Sequence, residues 1–302
     1  MSDCPASFKV IITLIVYMIT VGIIGTGQIG YDLLLKLLKL NFVKVIAYVG
    51  RRPSTKSVPD GVHYSDRSIQ FFIDNPRCCQ VVFDCTDAYS AVRNAKVFSE
   101  QDMYIIDLTP SNLGINYVPN VSSNFGKHIS TVTCGGQASI PLINYIMGCS
   151  AGVKYIEVVS QISSESAGMA TRLNVDKYIH TTEQVIRDVF EIDNVKVILT
   201  LNPGSSTVMQ TSVFVKVDEY NDDGNVESFV KGMNTYVPGY KLTTNPTMMK
   251  PGVVFANTKI ISTSEYISSY SGNLDVINCV AIEALKKIYT SEHNAYNSIL
   301  DI

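Results

Sequence analysis

The chain has 302 residues, a length suited to about two domains, and 46% of them are hydrophobic, enough for substantial cores. A net charge of −3 excludes a nucleic-acid binder or a membrane-surface protein built on basic charge. Seven cysteines at irregular spacing, without a CxxC pair, and only four histidines argue against a disulfide framework or a zinc site. They predict reduced thiols in a cytoplasmic setting and no metal.

The N-terminal run Val10–Ile24 (VIITLIVYMITVGII) is uncharged and apolar, yet short of the roughly 18 residues that suggest a membrane-spanning helix. Its last part, about Thr20–Ile24, reads as the first strand because it leads into Gly25-Thr26-Gly27-Gln28-Ile29-Gly30. Three readings stand open for the residues before it: a flexible or membrane-touching extension, a secretory signal, or a segment inserted into strand one at Ile11–Val21. Membrane contact through residues 10–24 is not the expectation. The spacing Gly25-x-Gly27-x-x-Gly30 after an apolar strand is that of a dinucleotide site.

A helix follows over Tyr31–Leu40, with its lysines outward, then a strand over Val43–Val49 ended by Gly50-Arg51-Arg52-Pro53. Gln80–Phe83 and Met103–Leu108 are short apolar runs that fit buried parallel strands, with a helix over Ala88–Ser99 between them. Ile129–Thr133 continues the series and delivers Cys134 at a strand's carboxyl end, ahead of a helical stretch, Gln137–Met147. This alternation predicts an α/β chain with a Rossmann-type doubly wound parallel sheet. From about Val153 the pattern changes to long β-rich runs: Tyr155–Ile162, Val195–Leu201, Val213–Val217 and Val253–Ser262. Helices over Val175–Phe190 and Asn225–Thr235 lie among them, which predicts a second, α+β domain. A final helix, Asp275–Tyr289, is expected to pack back on the first. Residues 1–133 with 271–302 would then form the dinucleotide-binding domain, and 134–270 the catalytic and dimerisation domain.

Cys134 carries the chemistry. A thiol followed by Gly135-Gly136-Gln137 at a strand-to-helix junction sits near helix-terminal N–H groups, which stabilise a thiolate and can hold an oxyanion. A placed thiol beside a nicotinamide site suggests oxidation of an aldehyde through an enzyme-bound thioester. Cys78, Cys79, Cys85, Cys149 and Cys279 lack such settings and read as structural, and His128 and His180 as surface or loop residues. Asn174 is either the cap of the helix that begins near Val175 or a polar group of the site. Arg51-Arg52 leave two possibilities, the 2′-phosphate of NADP or solvated loop arginines.

Several blocks, in order over about residues 21–290, resemble the acylating acetaldehyde dehydrogenases that partner 4-hydroxy-2-oxovalerate aldolase in the catabolism of aromatic hydrocarbons. They are Gly22–Leu33, Val82–Ala88, Ile106–Pro110, Thr133–Pro141, Ser166-Ala167-Gly168, Thr171–Asp176, Leu201-Asn202-Pro203, Tyr236–Tyr240 and Ser271–Asp275. The most specific are TCGGQA and SGNLD. The resemblance implies conversion of acetaldehyde, coenzyme A and NAD to acetyl-CoA and NADH by a homodimer, with an aldolase as partner. It implies Cys134 as nucleophile and Asn174 as donor to the substrate oxygen. The glycine turn Gly25, Thr26, Gly27, Gln28, Ile29 and Gly30, together with Thr86, Asn273 and Leu274, would hold the cofactor. Where the family has a helper aspartate this chain has Thr211. Its usual lysine is Glu165, and its Gly-Pro is Met169-Ala170. Two rival expectations are a semialdehyde dehydrogenase using a histidine, for which only His180 is available, and a weakened homologue that binds NAD or a partner without turnover.

Overall fold

The computed structural model describes residues 18–168, 171–172, 174–204 and 207–300. The open readings of the N-terminal run therefore fall largely on residues 1–17, outside the described residues, as do Met169 and Ala170. Among the described residues no helix is long and apolar enough to cross a membrane.

The first half alternates strand and helix: β1 (Ile19–Ile24), α1 (Gln28–Leu37), β2 (Val43–Val49), β3 (His63–Ser65), α2 (Ile69–Asp74), β4 (Val81–Asp84), α3 (Ala88–Glu100), β5 (Tyr104–Asp107), β6 (Ile115–Asn116) and β7 (His128–Ser130). Its seven strands form one sheet in the order β3-β2-β1-β4-β5-β7-β6, every pair parallel. The strand order reverses between β1 and β4, and ligands bind in the crevice at the carboxyl ends of strands at such a switch point. Val81–Asp84 is buried throughout, as a strand covered on both faces must be.

The second half runs α4 (Cys134–Gly148), β8 (Ser150–Ala151), β9 (Tyr155–Ser163), α5 (Val175–Phe190), β10 (Val195–Asn202), β11 (Met209–Lys216), β12 (Glu219–Tyr220), α6 (Val226–Asn234), β13 (Tyr240–Lys250), β14 (Val253–Ile260) and α7 (Gly272–Leu300). Five strands make a mixed sheet, β10-β9-β11-β14-β13, in which only β10 and β9 are parallel. Burial alternates along β9, β11 and β14: one face packs on α4 and α5, and the other is left partly open. The long α7 returns to the parallel sheet. Lys36 of α1 pairs with buried Asp275 at 2.5 Å, and Asn278 donates to buried Asp32 at 2.6 Å. These bonds fix the first two turns of α7 against α1.

The structure corrects several sequence expectations. The strand expected over Ile129–Thr133 ends at Ser130, because Val132 takes φ +58° and turns the chain. The helix expected from Gln137 already begins at Cys134. α7 begins at Gly272, so Asn273 and Leu274 lie in its first turn and not in a loop. The strand β13 escaped notice: its polar run with Pro246 fits an edge strand whose pairing to β14 is interrupted by bulges.

Candidate active site

The three glycines of the first turn differ in what surrounds them. Gly25 has φ +108°, and a Cβ there would collide with the Cys85 carbonyl. Gly30 lies directly beneath the Gly25 carbonyl and lets α1 approach the strand end. Around Gly27 nothing lies within 4 Å of where a Cβ would stand. Tight turn, close helix approach and open backbone are the three requirements of a pyrophosphate-binding loop, and the turn leads into the N-terminus of α1. The residues present therefore fit a dinucleotide.

Gly25, Thr26 and Gly27 line a cleft with roughly 1330 Å³ of empty space, part of it open to solvent, together with Gly50, Arg51 and Arg52 from the end of β2. Asp87 also lines it, but its carboxylate is engaged in capping α3 through Tyr89 N–H and Ser90 N–H. Those bonds and the Arg51 charge hold its carboxyl below the usual range against partial burial. An adjoining cleft of roughly 660 Å³ contains Ile29, Cys134, Asn273 and Leu274. Cys85, Thr86 and Asn174 line both. Gln28, at the start of α1, and Gly30 do not line either cleft. Cys85, expected to be structural only, stands on the shared wall.

Two buried carboxylates lie below that wall. Asp84 and Asp107 end β4 and β5 side by side. Asp84 accepts from Thr86 N–H, and Asp107 from Thr109 N–H, so each orders the turn that meets the cleft. Burial raises both, joined at Asp84 by the Asp87 charge and at Asp107, which is pushed up to about 7, by the Asp84 charge.

Cys134 occupies the first turn of α4. Thr133 caps this helix, its hydroxyl accepting from Gly136 N–H at 3.0 Å and meeting the Thr182 hydroxyl at 2.7 Å. Gln137 donates to the Tyr117 and Thr131 carbonyls and so clamps the segment that precedes the thiol. This clamp helps hold Val132 in a conformation that a β-branched residue rarely adopts, and strain of that kind gathers at functional sites. Burial pushes the Cys134 thiol up to about 11, against the opposing effects of the Tyr178 hydroxyl and the Gly135 N–H. Sγ lies 3.7 Å from Tyr178 Oη, which also accepts from Gly135 N–H at 2.8 Å.

Asn174 stands one turn before Tyr178 at the N-cap position of α5, yet its side chain makes no capping hydrogen bond. It is 4% exposed and lines both clefts, so of its two sequence readings the placement favours the polar group of the site. Asn273 donates to the Ser166 carbonyl at 3.3 Å, while its Oδ1 is buried without a partner. Glu165 is exposed on a surface turn, bonded to Tyr270, and lines neither cleft. His180 points to solvent from the outer side of α5, and no histidine among the described residues lines either cleft. The histidine-dependent rival thus lacks its acid-base group. His128, expected at the surface or in a loop, lies half-buried in β7.

Sequence reasoning did not single out Tyr178 or Ser160. The available signal was the i, i+4 spacing of Asn174 and Tyr178, which places both on one helix face.

The family model described as "Prokaryotic acetaldehyde dehydrogenase, dimerisation" matches residues 134–268. The chain is 38% identical over 283 residues to the acetaldehyde dehydrogenase of Pectobacterium atrosepticum, covering 89% of this chain and 95% of that protein. It is 38% identical over 284 residues to that of Spirochaeta aurantia, covering 90% and 95%. An aspartate semialdehyde dehydrogenase II of Vibrio cholerae, solved with ASA, shares the fold. Its TM-score is 0.65 at 12% identity, over 90% of this chain and 99% of that one. With its parallel sheet, adjoining clefts and full-length relatives, the chain belongs to the acetaldehyde dehydrogenase family, oxidoreductases acting on aldehydes.

Proposed function

We propose that the chain converts acetaldehyde and coenzyme A to acetyl-CoA with reduction of NAD, through a thioester on Cys134. One observation carries this reading: the Cys134 thiol, at a helix N-terminus, lines a cleft that adjoins the glycine turn through Cys85, Thr86 and Asn174. Gly25, Thr26 and Gly27 would hold the pyrophosphate, and Thr86, Asn273 and Leu274 the nicotinamide half, with Ile29 on the same wall. When bound, the nicotinamide supplies the acceptor for the aldehyde hydrogen as hydride.

The remaining work falls to the chain. Cys134 ionises at the α4 N-terminus and its sulfur adds to the carbonyl carbon. The carbonyl oxygen takes up the negative charge, and the Asn174 amide is the group at hand to hold it. Loss of hydride leaves an acyl thioester. The thiol of coenzyme A then attacks it, and the Cys134 thiolate departs. Leu108, Val132 and Ile277 give the cleft apolar walls, which disfavour water as the competing nucleophile.

NADH formation from acetaldehyde and coenzyme A, followed with Cys134→Ser alongside, tests the reading. The variant should bind NAD normally and lose roughly three orders of magnitude or more in turnover. Retained turnover would remove Cys134 from the chemistry. NAD binding without turnover in the unmodified protein would leave a binding-only homologue.

The end of β2 supports use of NADP as well. Arg51 and Arg52 line the cleft there, and the one acidic side chain among the described residues that lines it, Asp87, is taken up in capping α3. Arg52→Ala should lower kcat/KM for NADP at least about tenfold and leave that for NAD nearly unchanged, the weight of one charge-assisted bond. Equal losses for both cofactors would count against a 2′-phosphate contact.

The match to a dimerisation domain supports a homodimer. An aldolase supplying the aldehyde is the expected partner from the resemblance, and co-purification with this chain would test it.

A further inference from the structure

Beneath Cys134 lies a file of buried hydroxyls. Tyr178 Oη, 3.7 Å from the thiol sulfur, and the Ser160 hydroxyl of β9 stand side by side against Gly135. Ser160 Oγ in turn meets Thr211 Oγ1 of β11 at 3.2 Å, the two residues being direct cross-strand neighbours. Tyr178, Ser160 and Thr211 are 5%, 0% and 1% exposed. A Cβ on Gly135 would collide with both Tyr178 Oη and Ser160 Oγ, so the glycine after the cysteine is what admits the file to this place. Besides Cys134, the titratable groups lining the cleft are Tyr178 and Cys85, and no charged side chain among the described residues lines it.

A hydroxyl is both donor and acceptor, so such a file can point either way. With a neutral thiol, S–H donates to Tyr178 Oη. With a thiolate, Tyr178 O–H donates to sulfur, and Ser160 and Thr211 re-aim behind it. Each bond polarises the next, which strengthens the last donor. Gly135 N–H, donating to Tyr178 Oη at 2.8 Å, withdraws charge from that oxygen in both states.

We infer that Tyr178 positions the nucleophile and stabilises its thiolate by donating O–H to sulfur, with Ser160 and Thr211 as the hydroxyls behind it, while the thiol's proton leaves to solvent through a cleft without a carboxylate. The inference rests on Cys134 being the nucleophile. Tyr178 acts through the sulfur and is therefore a positioning residue. The consequence is a thiol whose ionisation depends on three neutral groups drawn from α5, β9 and β11.

The test measures alkylation of Cys134 by iodoacetamide against pH, quantified on the Cys134 peptide, in the full chain and in Tyr178→Phe and Thr211→Val. Phenylalanine keeps the buried ring, and valine keeps the shape of threonine. Removing the bond to sulfur should raise the inflection of the profile by roughly one unit or more in Tyr178→Phe, the size of one hydrogen bond to a charged group. Thr211→Val should raise it in the same direction by less. In the acetaldehyde assay Tyr178→Phe should lose kcat about tenfold or more with KM for acetaldehyde little changed. An unmoved inflection in both variants, with melting temperatures close to that of the parent, overturns the proposal. Failure of the underlying reading looks different: Cys134→Ser would keep its turnover whatever the alkylation profiles show.

Discussion

Single side chains in this site are separable by what stands beside them, and the glycine turn shows it best. Gly27 and Gly30 belong to one motif, yet only Gly30 is packed against backbone. Gly27→Ala should leave the melting temperature of the ligand-free protein nearly unchanged and raise KM for NAD at least about tenfold, by blocking backbone approach of the pyrophosphate. Gly30→Ala should instead lower the melting temperature by several degrees, because its methyl group would displace the Gly25 carbonyl. Thermal unfolding and NAD titration of the two variants check this, and equal behaviour would dissolve the distinction. Thr211 shows how far sequence comparison reaches at one position. The resemblance to the family marks it as an aspartate replaced, whereas its neighbours make it the far end of a hydroxyl file beneath the thiol.

Strand ends and helix starts organise the site, and their charges make stability depend on pH. Asp84 and Asp107 close adjacent parallel strands and order the turns carrying Thr86 and Thr109. Asp107 is raised from the ordinary value of 3.8 to about 7, by burial first and then by Asp84. The folded chain therefore keeps a proton that the unfolded chain has released between about pH 4 and pH 7. That contribution is complete below the lower value and is lost as pH rises through the upper one. Asp107→Asn removes the titration, so its melting temperature should fall less than the parent's between pH 5 and pH 8. The relative gain at pH 8 should be of the order of a few degrees. Parallel melting curves for the two proteins across that range would defeat the assignment.

The two sheets divide the labour of the chain. The parallel sheet carries the dinucleotide turn, and the mixed sheet carries the hydroxyl file on its inner face. Its outer face is incompletely covered and mixed in character, with Ile198 37% exposed and Phe214 and Phe255 packed ring to ring at 4.9 Å among polar residues such as Glu157, Ser212 and Asn257. A partly covered sheet face with an aromatic pair on its central strands suits a second copy of the chain. Phe214→Glu should shift sedimentation from dimer to monomer at micromolar concentration, since a glutamate pair in the interface leaves buried charge. A dimer of unchanged stability in that variant would place the interface elsewhere.

Much of this was legible before any coordinates. Periodicity marked β1, β2, β4, β5 and the long helices, since alternation of apolar residues is a local property of the chain. The glycine spacing and the TCGGQA block marked the cleft's two ends, because turn geometry constrains residues a few positions apart. The residues around Cys134 were another matter. Tyr178, Ser160 and Thr211 come from α5, β9 and β11, and no spacing in the sequence relates them. Likewise, β13 escaped because an edge strand tolerates the polar run and the proline that elsewhere signal a loop. Local chemistry thus named the proposed nucleophile and the proposed cofactor turn. The groups that set the thiol's ionisation were decided by packing, since contacts between distant segments exist only once the mixed sheet is paired and α4 lies on it.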